Sequence, residues 1–164
     1  MLRVRLLSTS VVLLMLLSGC SLVRAPPDRA LLENAALASP GESFLVLSGG
    51  ACLDECPVYE IFVFESGRIV FNGKAHTAQA GLVDRLTMPS AYFDLRKLLA
   101  VRRAYDRRFH LGCRSDRAAF TVGAVEGNRV RAGNLSYGCF NQVDDLDAIT
   151  AAFIRVADAS RLIR

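Results

Sequence analysis

The alternation of apolar and polar positions divides the chain into six runs of strand length and two of helical period. Phe44–Ser48 is an unbroken apolar run ended by Gly49-Gly50, which predicts a short buried strand. Val58–Phe64 and Arg68–Asn72 flank Ser66-Gly67 and predict a hairpin. With Ser66 and Gly67 as the two loop residues, Phe64 faces Ile69, Phe62 faces Phe71 and Val63 faces Val70. Both faces of that pair are apolar, as expected of central strands covered on two sides. Thr77–Leu86 is a weaker strand interrupted by Gly81. Thr87-Met88-Pro89-Ser90 marks a helix start, and Tyr92, Leu95, Leu98 and Leu99 recur at helical spacing behind it. A second hairpin, Arg117–Ala124 with Asn128–Leu135, turns at Val125-Glu126-Gly127. With Glu126 as the pivot, Phe120 faces Ala132 and Val122 faces Val130. The last element, Val143–Asp158, carries Leu146, Ile149, Phe153 and Val156 or Ala157 on one stripe, and Asp144, Asp145 and Asp147 near its positive end. The expected fold class is α+β: an antiparallel sheet of two hairpins plus flanking strands, with two helices packed on it.

The first twenty residues do not fit this pattern. Arg3 and Arg5 precede an apolar run, Leu6–Leu17, followed by Leu17-Ser18-Gly19-Cys20. The run is too short to span a bilayer, which takes about 20 apolar residues, and reads as a signal peptide. Leu-Ser-Gly-Cys resembles the bacterial lipobox, in which the cysteine becomes the acylated, palmitate-bearing first residue of a lipoprotein. The resemblance implies a signal peptide over 1–19 and an acylated N-terminus at Cys20; the residues then predict a tether to 42, giving an acylated N-terminus and tether over 20–42, and one disulfide-stapled α+β domain over 43–160. Each buried methylene adds about 0.8 kcal/mol, so several acyl chains make a durable membrane anchor. Ser21 stands where an inner-membrane retention signal is usually Asp. By resemblance to proteobacterial sorting, the expected location is the outer membrane, facing the periplasm. In the tether, Ala25-Pro26-Pro27-Asp28 cannot be mid-helix, and Ser39-Pro40-Gly41 ends any short helix over Arg29–Leu37.

Of 164 residues, 20 are Lys or Arg and 16 Asp or Glu, a net charge of +4. Loss of residues 1–19 removes Arg3 and Arg5 and leaves +2. That is too little to argue for nucleic acid, which the compartment also disfavours.

There are five cysteines. With Cys20 assigned to lipid, Cys52, Cys56, Cys113 and Cys139 remain in an oxidising compartment, where disulfides are expected. Of the three connectivities, Cys52–Cys56 with Cys113–Cys139 is favoured, because Cys113 and Cys139 are each thirteen residues from Glu126 and an extended hairpin sets them opposite one another.

Cys52-x3-Cys56-Pro57-x-Tyr59, leading into a strand, a glycine turn and a second strand near Gly73, resembles a family of uncharacterised bacterial lipoprotein and secreted domains of unknown function. The likeness runs over about residues 44–158 in the order hairpin, helix, hairpin, helix. That family often has Gly between the cysteines, where this chain has Leu53-Asp54-Glu55. The resemblance implies an architecture and no reaction.

The sharpest chemical candidate is Cys52 and Cys56 with His76 and His110, since thiolates and imidazole suit copper. Cys-x3-Cys-Pro is also similar to copper-delivery proteins of the thioredoxin fold. There, however, the cysteines open a helix whose N-terminus lowers a thiol pKa, whereas Pro57 here leads into a strand. The chain has no Gly-x-Ser-x-Gly, His-Glu-x-x-His, phosphate loop or dinucleotide fingerprint, so no enzyme signature and no cofactor is expected. Arg102, Arg103, Arg107, Arg108 and Arg114, with Arg117, Tyr105 and Phe109 among them, form the candidate contact surface for anionic lipid, peptidoglycan or an acidic envelope protein. The function expected is a membrane-anchored, non-catalytic binding or assembly module; the alternative is a periplasmic thiol-redox or copper protein using Cys52 and Cys56.

Overall fold

The computed structural model describes residues 37–50, 52, 53, 55–108, 113, 114 and 116–163. Cys20, Asp54 and His110 lie outside them. Six strands form one antiparallel sheet: β1 Phe44–Gly49, β2 Val58–Phe64, β3 Arg68–Ala75, β4 Gly81–Leu86, β5 Ala119–Glu126 and β6 Arg129–Ser136, in the spatial order β4-β3-β2-β1-β5-β6. From β1 the chain meanders outward to β4. Helix α1, Ser90–Val101, then carries it back over one face, and β5 adds to the other side of β1. Helix α2, Val143–Val156, follows β6, and a last turn, α3, covers Ser160–Ile163. The fold is α+β, as the pattern leads one to expect. Among the described residues no helix is long and apolar enough to cross a membrane.

The apolar runs are strands because both of their faces are used. Leu45, Leu47, Tyr59, Ile61, Val63, Ile69, Phe71, Phe120 and Val122 point toward the helices and meet Tyr92, Leu95 and Leu99 of α1 and Leu146, Ile149 and Phe153 of α2. Phe44, Val46, Phe62, Phe64 and Val70 form a second cluster on the opposite face, with Leu37 and Ala38 packed against it. A strand buried on both sides loses the polar alternation of a half-exposed one, which is why β1 and β2 read as continuous apolar runs.

The same feature misleads about register. The β2–β3 connection has three residues, Glu65-Ser66-Gly67, instead of two. The Gly67 N–H donates to the Phe64 carbonyl at 2.9 Å, and Gly67 has φ +88°. A type I turn followed by a left-handed glycine is the common three-residue hairpin loop. Val63 therefore faces Ile69, Phe62 faces Val70 and Ile61 faces Phe71. A one-residue slip moves a whole strand face, so Phe71 and Ile69 lie with Val63 under the helices and not with Phe62. The second hairpin also differs from expectation. Its turn is Gly127-Asn128, with Glu126 facing Arg129, Val122 facing Gly133 and Phe120 facing Leu135. Only Gly127 of that pair has positive φ, +57°, the pattern of a type II′ turn. Strand β4 begins at Gly81, four residues after the expected Thr77.

All the turns and entry points sort to two ends of the sheet. The loops at Ser66 and Asn128 lie at one end, where the chain also enters: the Glu65 N–H donates to the Ser43 carbonyl at 2.9 Å, and Arg68 donates to the Leu37 carbonyl at 2.6 Å. The end of β1, the start of β2, the start of β5 and the end of β6 lie at the other.

Candidate functional site

Both disulfides sit at the end away from the chain entry. Cys52 and Cys56 are bridged across a Cα separation of 5.7 Å, between the end of β1 and the start of β2. Cys113 and Cys139 are bridged across 4.3 Å, just beyond β5 and β6. The second pairing is the expected one, but the symmetry about Glu126 is not its cause. The ladder continues with the Tyr137 N–H on the Ala118 carbonyl at 3.1 Å, and then the Arg114 N–H reaches the Gly138 carbonyl at 3.0 Å. Three extra residues on the incoming side bring Cys113 level with Cys139. The chain-entropy model gives about 2 kcal/mol for the short bridge and about 3.5 kcal/mol for the long one.

Polar and aromatic contacts join the elements at this end. The Gly50 N–H donates to the Ala119 carbonyl at 2.6 Å, closing β1 onto β5. Gln142 is buried: its amide oxygen accepts the Ser136 N–H at 3.1 Å, and its amide nitrogen donates to the Arg108 carbonyl at 3.2 Å. Phe71, Tyr59, Phe120 and Tyr137 form a ring ladder with centroid spacings of 6.0, 6.4 and 6.1 Å. Burial pushes the Tyr59 phenol up to about 12. The Tyr137 hydroxyl donates to Asp147 of α2 at 2.7 Å.

On this frame two apolar side chains stand in solvent. Phe140, directly after the bridged and buried Cys139, is 97% exposed, and Leu53, inside the Cys52–Cys56 loop, is 80% exposed. A cleft of about 550 Å³ runs beside Phe140, lined by Arg114, Arg117, Tyr137, Gly138 and Val143. Arg114 pairs with Asp116 at 2.7 Å, and Arg117, whose charge also acts on Asp116, forms no ion pair within 4 Å among the described residues. The bridge at Cys139 fixes the backbone just before Phe140, and an exposed aromatic ring is the kind of side chain that anchors interfaces.

The arginine run is engaged in ion pairs and carbonyl contacts within the fold. Arg102 and Arg107 both pair with Asp145 in the first turn of α2, Arg102 at 3.1 Å. Arg103 pairs with Asp106 at 3.2 Å. Arg108 donates to the carbonyls of Tyr105, Arg107 and Ala132 at 2.7–2.8 Å. Arg114 alone of the five lies beside Phe140. Most of these guanidiniums tie the segment after α1 to α2 and β6.

His76 follows β3 with φ +51° and is exposed, near the start of β2, since Ala75 pairs with Val58. The sulfurs of Cys52 and Cys56 are used in their bridge. Among the described residues no group of three or more His, Cys, Asp or Glu side chains is arranged to hold a metal ion. Pro57 leads into β2, so the pair does not open a helix.

Sequence reasoning passed over Phe140 and Leu53. The one available signal for Phe140 is a lone aromatic between a cysteine and the polar Asn141-Gln142, outside any apolar period.

Among curated proteins no match to the chain is found. Over residues 43–110, from β1 through α1, the chain matches a family described as a domain of unknown function, DUF6438. The match includes Cys52 and Cys56, while Cys113, Cys139 and Phe140 lie beyond it.

Proposed function

We propose that this protein is a lipid-anchored envelope module that binds or assembles with a partner and catalyses no reaction. The signal sequence and Cys20 supply the anchor, and outer-membrane attachment facing the periplasm follows from Ser21. The observation that carries the reading is the polarity of the sheet. The chain enters at the turn end, while both disulfides, Phe140 and Leu53 are at the other. With about 3.3 Å per strand residue, the stapled end of a seven- or eight-residue strand stands about 25 Å farther from the tether. A membrane-tethered module is expected to present its contact surface on that side. The partner that suits it is an envelope protein with an apolar recess for Phe140 and acidic groups for Arg114 and Arg117. Peptidoglycan carboxylates or anionic lipid would engage the arginines and leave Phe140 unused.

The thiol-redox or copper alternative needs Cys52 and Cys56 to cycle between bridge and thiolates. The strand after Pro57 offers no dipole to stabilise a thiolate, so this reading has less behind it.

The anchor is tested by intact mass of protein extracted from membranes. Acyl chains on Cys20, lost together with membrane attachment in Cys20→Ala, are expected. An unacylated chain in the soluble fraction would contradict the proposal.

A further inference from the structure

A second surface lies on the helix side of β6, away from the stapled end. Here α1 runs beside the strand and the 3-10 turn Ala104–Asp106 closes the space between them. Two adjoining cavities of about 270 and 230 Å³ share Ala100, Tyr105 and Arg131. The larger is walled by Arg96 and Lys97 and flanked by Phe93, with no acidic side chain in its lining.

Its two arginines are held in place by Glu126. One carboxylate oxygen accepts from Arg131 Nη2 at 2.7 Å. The other lies 2.6 Å from Arg96 Nε, an ion pair outside hydrogen-bond geometry. The Arg131 guanidinium also lies over the Tyr105 ring, 4.7 Å from its centroid. Both guanidiniums are thus oriented, yet their side chains remain 49% and 46% exposed, with further N–H groups to donate. Glu126 offsets one of their two charges. Lys97 adds another and has no acidic partner among the described residues. The Tyr105 hydroxyl is buried and likewise has no partner there. Buried hydroxyls are nearly always hydrogen-bonded, so this one marks a place where an acceptor fits.

We infer that this groove binds a small organic phosphate, with the phosphoryl group between Arg96, Lys97 and Arg131 and the organic part against Phe93 and Ala100. Donors from two guanidiniums and an ammonium surround a tetrahedral dianion better than a planar carboxylate, which one arginine satisfies alone. The Arg–Glu–Arg array lowers the ordering cost of binding for the two guanidiniums. Such a phosphate can be a soluble ester or a lipid headgroup.

The test is calorimetric titration of the full chain in non-ionic detergent micelles with phenyl phosphate, inorganic phosphate and short-chain phosphatidic acid dispersed in the same detergent. Binding of inorganic phosphate alone would overturn the organic part of the assignment. Binding of phenyl phosphate points to a soluble ester, and binding of the phosphatidic acid alone points to a headgroup. In either case Lys97→Glu is expected to weaken binding by at least about tenfold, while Arg155→Glu, the same charge change on the exposed side of α2, leaves it intact. Arg131→Ala should act like Lys97→Glu; if it fails to fold, Lys97→Glu decides. No binding of any of the three probes, or equal weakening by Lys97→Glu and Arg155→Glu, would overturn the assignment.

Discussion

Tyr59 and Tyr105 report burial most directly among single side chains. Burial pushes both phenols up to about 12, and the other two tyrosines, Tyr92 and Tyr137, are raised as well. A free phenol is half ionised near pH 10. The neutral form is favoured in the folded state, so its contribution to stability is fully present below about pH 10 and is lost as pH rises toward 12. An alkaline titration followed by tyrosinate absorbance is expected to show little ionisation at pH 10 and then a cooperative rise that coincides with unfolding. Four tyrosines titrating near pH 10 in the folded protein would contradict their environment. Phe62, fully buried on the second face, should cost about 3–5 kcal/mol when changed to Ala, read from the denaturant midpoint. The exposed Phe140→Ala should shift that midpoint hardly at all, which separates a core aromatic from a solvent-exposed one. The sequence makes Phe62 legible, because it sits in an apolar run of strand length. It hides Phe140, because exposure depends on what packs around a residue and no local period records it.

At the scale of the element, strand and helix existence was legible and register was not. Six apolar runs became six strands and two periodic runs became α1 and α2. Where one face is polar, alternation itself sets the register. In β2 and β3 both faces are apolar, so a two-residue and a three-residue loop fit the pattern equally well, and the turn chemistry decides. Gly67 with φ +88° is that deciding residue; a Cβ there would also press on the Thr87 carbonyl. Gly67→Ala is therefore expected to destabilise by more than about 1 kcal/mol. A loss below a few tenths would contradict the left-handed Gly67. The Cys113–Cys139 bridge teaches the same lesson from the other side. Symmetry about Glu126 names the right pair for a wrong reason, because the ladder turns at Gly127-Asn128 and extra residues before β5 make up the offset. Removing the bridge in Cys113→Ser/Cys139→Ser should lower stability by about 3.5 kcal/mol, measured by urea unfolding. An unchanged midpoint would mean that the loop after α1 is held without it. The buried Gln142, joining Ser136 to Arg108, is the structure most able to do so.

At the scale of the whole molecule, the arginines show why composition is a poor guide to surfaces. The basic run after α1 looks like a patch in the sequence, but Asp145 alone takes up Arg102 and Arg107. That acid comes from a helix about forty residues later, and nothing local announces the encounter. Conversely, Arg96 and Arg131 are 35 residues apart and meet at Glu126. The molecule thus separates three tasks. The sheet and its two apolar clusters hold the fold, the turn end takes in the chain at residues 37–43, and the stapled end presents Phe140 and Leu53.

The central claim is that the stapled end is the contact surface of an anchored protein. It is tested most directly by placing a photo-activatable cross-linking residue at Phe140, and separately at Asn128 on the turn end, in otherwise unaltered protein in intact cells. A discrete protein adduct from position 140 that is absent from position 128, and lost when Arg114 and Arg117 are reversed to Glu, is the expected result. Equal adducts from both positions, or none from 140 while 128 cross-links, would contradict the account.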